Sequence, residues 1–285
     1  MNYQWYPGHM TKAKRMMEEN IKLIDLVIEI VDARIPISSR NPDIDSLAVN
    51  KARIILLNKS DLADDKITNQ WINYFNENNI YCLKLNSRNN SGIKQVNGLI
   101  MTACADKIER NKQRGILNRP IRAMVVGIPN VGKSTFINSY AGKASAKTGN
   151  KPGVTKGKQW IKLNKNVELL DTPGILWPKF ESQDVGIKLS ICGSIKDEIV
   201  DLHMVCLYAL RIIEKKYPSL LEKRYGISID EFSGDTDGME IATLIAQKRG
   251  CLLKGNQYDY ERVFTLVMND IRSNRIGAMT FESAN

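Results

Sequence analysis

The feature that most constrains the fold is an octapeptide at residues 127–134, which reads GIPNVGKS and matches the pattern G-x-x-x-x-G-K-S. An apolar run at residues 121–126 predicts a strand before it, and Thr135 opens an apolar stretch typical of a helix start. Between a strand and a helix, glycines let the loop curl so that its N–H groups point at phosphate oxygens. A chance glycine-rich turn is the alternative, which the strand–loop–helix context disfavours.

Within this loop, Lys133 is expected to place its charge at the β- and γ-phosphates, where it also serves catalysis, and the Ser134 hydroxyl to ligate Mg²⁺. The residues expected to contact nucleotide in this segment are Asn130, Val131, Gly132, Lys133, Ser134 and Thr135.

Two further segments carry phosphate-side chemistry. Asp171 follows an apolar strand at residues 167–170 and opens a D-x-x-G motif, so we expect it to serve the metal, usually through water. The Gly174 N–H is placed to sense a γ-phosphate and to act in catalysis. Thr155, in a lysine-rich loop, is the expected second hydroxyl ligand for Mg²⁺. An ordinary turn and a plain loop threonine are the alternatives.

The N-K-x-D motif at residues 58–61, directly after a buried strand, indicates which nucleobase is bound. Guanine presents two adjacent donors that a carboxylate accepts in bidentate fashion, whereas adenine presents an acceptor there. We therefore expect Asp61 to bind guanine, Asn58 to buttress the loop and the Lys59 stem to lie against the base. Asn86 and Ser87 follow the next strand, and a backbone N–H near Ser87 is expected to meet guanine O6.

Strands alternating with helices over the first part of the chain predict an α/β fold with a mostly parallel sheet and helices on both faces. Strands are predicted at residues 26–31, 53–57, 80–85 and 121–126, with a hairpin at 158–170. Helices are predicted at 11–24, 64–78 and 93–110. From residue 184 onward the pattern is helical, which places residues 1–177 in an α/β domain and residues 184–285 in a small all-α domain.

The order of these motifs differs from that of ordinary GTPases, because the base-side motifs precede the P-loop. This order resembles the circularly permuted P-loop GTPases, and specifically the ribosome biogenesis GTPase A family (YlqF/RbgA-type). The segments that carry the resemblance are WYPGHM at residues 5–10, DARIP at 32–36, NKSD at 58–61, the P-loop, DTPG at 171–174 and KRGCLLKG at 248–255.

The resemblance implies a GTP-hydrolysing enzyme that binds GTP and GDP and acts late in assembly of the large (50S) ribosomal subunit, stimulated by that particle. A GTPase acting on another RNA such as tRNA, and a GTP-dependent RNA-binding protein that does not hydrolyse, are the alternatives. Because the permuted chain leaves the GTPase domain just after D-x-x-G, the nucleotide state is expected to reorient the helical domain.

One catalytic residue of Ras-type GTPases is missing, since Ile175 stands where a glutamine would orient the attacking water. His9, in a Pro-Gly turn, is the candidate replacement, and a surface or packing histidine is the alternative. Asn130 resembles the asparagine with which potassium-dependent GTPases hold K⁺ beside the phosphates, with a loop-shaping role as the alternative.

Composition indicates which class of binding partner to expect. The net charge of +10 and pI of about 9.3 favour a polyanion such as rRNA over a membrane, although a well-solvated surface would also be basic. The five cysteines form no C-x-x-C pair, and no secretory signal or apolar run of membrane-spanning length is found, so we expect a cytoplasmic protein, which we take to be a monomer. The side chains expected to contact rRNA phosphates are Lys248, Arg249, Lys254, Arg262, Arg272 and Arg275.

Overall fold

The computed structural model describes residues 15–117, 119–142, 159–163, 165–171, 182–231 and 238–284. The chain divides into two compact units, which we call the sheet unit (Met1–Glu181 with Glu282–Asn285) and the helical unit (Ser182–Phe281). The chain therefore leaves the sheet unit once and returns to it for its last residues. The sequence placed those last residues with the helices.

The sheet unit is built on one six-stranded sheet, as the alternation of strands and helices predicts. The strand order is β3-β2-β1-β4-β6-β5, and every neighbouring pair is parallel except β5 and β6. The strands are β1 (Leu26–Asp32), β2 (Ala52–Asn58), β3 (Tyr81–Lys84), β4 (Ile121–Val126), β5 (Gln159–Lys162) and β6 (Val167–Asp171).

Burial on both faces explains the strand sequences. All seven residues of β1 are buried, and so are the last five of β2. A strand covered on both faces gains from apolar side chains at every position, which gives continuous β-branched runs rather than alternation. The register pairs Asp32 at the end of β1 with Asn58 at the end of β2, so the carboxyl ends of these strands meet at one edge.

Helices connect the strands. The helices of the sheet unit are α1 (Asp43–Leu47), α2 (Asp65–Glu77), α3 (Ile93–Ala103), α4 (Ala105–Gln113) and α5 (Lys133–Ala141), and residues 15–20 are helical before a short 3-10 turn at Ile21–Leu23. The prediction of a single helix at 93–110 is wrong, because one helix ends before Cys104 and a second begins after it. The two halves differ in burial: α3 buries Ile93, Val96 and Ile100, whereas α4 buries no residue.

The last residues of the chain pack into the sheet unit. Ala284 lies against a cluster under α2 that includes Trp71 and Phe75. The Glu282 carboxylate accepts hydrogen bonds from the Ile37 N–H (2.7 Å), the Ser38 N–H (3.1 Å) and the Ser38 hydroxyl. The carboxylate thereby satisfies two backbone donors of the loop that follows β1.

The helical unit contains no named strand in its described residues, in agreement with the pattern after residue 184. Its helices are α6 (Gln183–Ile191), α7 (Leu202–Lys216), α8 (Pro218–Tyr225), α9 (Met239–Arg249) and α10 (Tyr260–Arg272). Asp270, which is 1% exposed, accepts hydrogen bonds from Arg224 (2.8 Å) and Tyr225 (3.2 Å) and so joins α10 to α8. A buried carboxylate needs such partners, because an unpaired one would be strongly destabilising.

Candidate functional site

The P-loop follows β4 at the carboxyl edge of the sheet, where parallel sheets bind ligands. Positive φ angles at Gly127 (151°), Asn130 (63°) and Gly132 (96°) curl the loop into the start of α5. A Cβ on Gly127 would lie 2.4 Å from the Ile30 carbonyl oxygen, so only glycine fits there. These angles match the curled loop that the sequence predicts.

Lys133, the first residue of α5, lies against this loop. Its ammonium donates hydrogen bonds to the carbonyls of Gly127 (3.0 Å) and Ile128 (2.9 Å), and the residue is 7% exposed. The lysine therefore spans the concave side of the loop. Ser134 and Thr135 follow it in the first turn of α5, at the positive end of the helix dipole.

Asn58 joins the base-side motif to the P-loop. Its Nδ2 donates to the Val131 carbonyl oxygen at 2.7 Å, across 73 residues of sequence. Its Oδ1 accepts from the Ser87 N–H (3.0 Å) and hydroxyl (2.9 Å). A Cβ on Gly132 would lie 2.4 Å from Asn58 Nδ2, so the glycine permits this approach. One buried amide thus holds together three segments that the sequence assigned to one site.

Lys59 and Asp61 continue this motif. Lys59 has φ 58° and ψ 35°, the left-handed region, and a 3-10 turn at Ser60–Leu62 follows it. The Lys59 ammonium lies 2.9 Å from Asp32 Oδ2. Asp61 lies in the 3-10 turn and is exposed, so its carboxylate is accessible to a ligand.

The second base-side loop is ordered by its own side chains. Asn86 Oδ1 accepts from the Arg88 N–H at 2.8 Å, an Asx turn, and the Asn86 N–H donates to the Ser91 carbonyl at 3.0 Å. The Ser139 hydroxyl of α5 donates to the Ser87 carbonyl at 2.5 Å. This loop is therefore bonded both to Asn58 and to the helix that begins at the P-loop.

The remaining predicted site residues are described only in part. Asp171 ends β6 and is paired with Val125 of β4, the strand that precedes the P-loop. His9, Thr155 and Gly174 lie outside the described residues.

The predicted basic surface of the helical unit is only partly available. The prediction that Arg272 contacts phosphate is wrong, because its guanidinium pairs with Asp197 (2.7 Å) and donates to the Ser190 carbonyl (2.6 Å). Arg249 lies over the Tyr225 ring at 5.4 Å, again a packing role.

Five of the six predicted basic residues, Arg249 among them, are exposed in the helical unit. Lys248 pairs with Glu231 at 3.1 Å, and Arg275, 64% exposed at its side chain, lies 3.6 Å from the Asp270 carboxylate. Lys254 and Arg262 are exposed. Any phosphate-contacting surface on this unit is therefore smaller than the sequence suggested.

Comparison with known proteins now identifies the family. A family model described as "50S ribosome-binding GTPase" matches residues 122–226. The chain is 49% identical over 283 residues to "Ribosome biogenesis GTPase A" of Bacillus cereus, covering 99% of this chain and 94% of the relative. The chain belongs to the ribosome biogenesis GTPase A family.

Two solved structures of another member extend the likeness to the fold. GNP-bound YlqF of Thermotoga maritima matches with a TM-score of 0.65 and 28% identity, over 96% of this chain and 99% of that one. The GDP-bound form of the same protein matches with a TM-score of 0.62 and 28% identity, over 94% and 99%. The present chain is thus a GTP-hydrolysing enzyme that binds GTP and GDP and serves ribosome biogenesis, as its sequence predicts.

One buried contact of the base-side motif was not predicted from the sequence. Asp32 and Arg34 were noted for the family resemblance, with no role attached. The Arg34 guanidinium donates to both Asp32 carboxylate oxygens, from Nε at 2.9 Å and from Nη2 at 2.8 Å. Burial alone would raise the pKa of Asp32, but Arg34 and Lys59 more than offset that effect and hold the pKa well below its ordinary range. An Asp–x–Arg pair at a strand end was the available signal.

No helix among the described residues is long and apolar enough to span a membrane.

Proposed function

We propose that this enzyme binds precursors of the large ribosomal subunit in its GTP state and hydrolyses GTP on them late in their maturation. The observation that carries the proposal is the Asn58 bridge, which assembles the guanine motif and the P-loop into one site. The family name and the description of the matching family model supply the particle. Guanine specificity makes the protein responsive to GTP and GDP, and the two states would differ in affinity for the particle.

Each site residue has a proposed role in that cycle. Asp61 accepts from guanine N1–H and N2–H₂, and the Lys59 stem lies on the base. Lys133 and the P-loop N–H groups hold the phosphates. Ser134, Thr155 and, through water, Asp171 would hold Mg²⁺, which would neutralise charge on the phosphates. These ligands are all oxygens, which Mg²⁺ prefers.

Hydrolysis needs a group to orient water, and Ile175 cannot supply it. We propose that His9 enters the site when the protein is bound to the particle, which would couple turnover to binding. Neutral imidazole accepts a hydrogen bond from water, and its ordinary pKa lies near working pH. We further propose that Asn130 helps to hold K⁺ beside the phosphates. Its left-handed backbone (φ 63°) and exposed side chain at the loop tip support this role.

The helical unit (Ser182–Phe281) is proposed to contact rRNA. The net charge of +10 supports a polyanionic partner, and Lys254 and Arg262 are exposed on this unit. Such contacts release counterions, so affinity for the particle should fall steeply with salt. We propose that the protein works as a monomer in the cytoplasm, where ribosomal particles are assembled.

Sedimentation with purified ribosomal subunits tests this function. The full-length protein should pellet with large-subunit particles when loaded with a non-hydrolysable GTP analogue, and less so with GDP. Asp61→Asn supplies a matched control, because it should pellet with the corresponding xanthosine analogue instead of the guanosine one. Equal pelleting in all nucleotide states, or pelleting with small subunits alone, would overturn the proposal.

A further inference from the structure

A buried ion-pair network lies behind the guanine motif. Asp32, at the end of β1, is 0% exposed, and Arg34 beside it is 1% exposed. The Arg34 guanidinium grips both carboxylate oxygens, and its own N–H donates to Asp32 Oδ1 at 3.1 Å. The Lys59 ammonium reaches the same carboxylate at 2.9 Å. Lys59 links this network to the nucleotide loops.

The left-handed backbone of Lys59 indicates that the Lys59–Asp32 contact does more than stabilise the fold. The left-handed region is unfavourable for a residue other than glycine, so the surrounding contacts must hold Lys59 there. The ammonium–carboxylate contact restrains the side chain, and the Ser60 N–H donates to the Leu85 carbonyl at 3.1 Å. The turn at Lys59 sets the direction in which the chain continues to Asp61, two residues later.

We propose that Asp32, gripped by Arg34, is a positioning residue for guanine recognition. It fixes the Lys59 side chain at the base and, through the turn at Lys59, aims the Asp61 carboxylate. This inference rests on the proposed roles of Lys59 and Asp61. Asp32 is assigned no contact with the nucleotide, and its effect is proposed to pass through Lys59.

The same strand offers a matched control. Glu29, three residues earlier on β1, is 1% exposed and pairs with Arg40 (3.1 Å) and Arg53 (3.4 Å). It is also a buried carboxylate between two cations, but its partners lie on no nucleotide loop. Glu29→Gln should therefore lower thermal stability, as Asp32→Asn does, without changing nucleotide preference.

The test compares three ligands on the full-length protein. GDP reports guanine recognition, IDP lacks the exocyclic amine and so loses one of the two bonds to Asp61, and inorganic tripolyphosphate reports the P-loop alone. In Asp32→Asn the Kd for GDP should rise roughly 10- to 100-fold, the scale of a lost charged hydrogen bond. The Kd for tripolyphosphate should stay within about twofold, as for an independent site. The ratio of IDP to GDP dissociation constants should fall toward one.

A double-mutant cycle with Lys59→Met shows whether Lys59 carries the effect. In the Lys59→Met background, adding Asp32→Asn should not lower the IDP-to-GDP ratio further. A further fall would mean that Asp32 acts by another route, which would overturn the inference. An unchanged ratio in Asp32→Asn, or an equal fall in Glu29→Gln, would also overturn it.

Folding and the underlying function are controlled separately. If Asp32→Asn does not fold, Arg34→Lys keeps a cation beside Asp32 but removes the two-pronged grip, and it should lower the IDP-to-GDP ratio to a smaller extent. An unchanged ratio in a folded Arg34→Lys would then reject the positioning role. A wild-type protein that binds GDP and IDP equally would instead reject the role of Asp61, and the inference with it.

Discussion

Asn58 offers the sharpest test of how the site is assembled. Asn58→Ala removes one hydrogen bond to the Val131 carbonyl and two from Ser87, all in a residue that is 2% exposed. Each neutral bond contributes about 1 kcal/mol, and a buried backbone group left unpaired costs about 1–3 kcal/mol. Two backbone groups lose a partner, the Val131 carbonyl and the Ser87 N–H.

Taken at their lower ends, and with each unpaired group's lost bond counted within its penalty, these terms give a loss of at least about 3 kcal/mol in the free energy of unfolding of the sheet unit. Since domains are stable by about 5–15 kcal/mol, the variant should remain folded at room temperature. At about 2–4 °C per kcal/mol for a unit of this size, the Tm should fall by roughly 10 °C. Because the P-loop and both base loops lose their common support, the Kd for GDP should rise more than tenfold, which corresponds to at least about 1.4 kcal/mol.

Thermal unfolding followed by circular dichroism, with and without GDP, measures both effects. Asn78→Ala is the matched control: this asparagine is exposed at the end of α2, and its side chain donates to the Tyr74 carbonyl at 2.8 Å. An exposed substitution of this kind should change stability by about 0.5 kcal/mol or less. If Asn58→Ala matches Asn78→Ala in Tm and binds GDP as the wild type does, the bridging role of Asn58 is refuted.

Four further outcomes are expected. Asp61→Asn should shift preference from guanine to xanthine nucleotides, measured by competition binding, and a wild type that binds ATP as well as GTP would reject the role of Asp61. Potassium should speed hydrolysis over sodium if Asn130 helps to hold it; identical rates with unchanged binding would remove that role. His9→Ala should keep nucleotide and particle affinity but lose roughly 10²-fold in stimulated turnover, and a wild-type rate on the particle would exclude catalysis by His9. Glu282→Gln should lower the free energy of unfolding of the sheet unit by about 1–3 kcal/mol, because charged hydrogen bonds to residues 37–38 are weakened, and an unchanged denaturant midpoint would contradict this.

The parts of this protein that were predictable from sequence are those with local signals. The strands could be predicted because burial on both faces favours apolar residues along the whole strand, as along β1. The P-loop was recognisable because its glycines answer a backbone requirement that no other residue meets. Asn58 was expected to buttress the loop, and its hydrogen bonds to Val131 and Ser87 are of that kind.

The missed features depend on contacts between distant parts of the chain. Nothing local marks Glu282 as a partner of Ser38, 244 residues earlier. Arg272 was expected on the phosphate-contacting surface, yet Asp197, 75 residues away, pairs with it. The Asp32–Arg34 pair was visible as a motif, but its contact with Lys59 depends on the pairing of β1 with β2.

GTP turnover by the full-length protein, with and without purified large-subunit particles, tests the proposed function most directly. We expect the protein to hydrolyse GTP slowly in the absence of particles, because Ile175 cannot orient water. Large-subunit particles should accelerate hydrolysis strongly, and small subunits should not. Turnover that is the same with and without the particles, measured where the protein is shown to bind them, would contradict it.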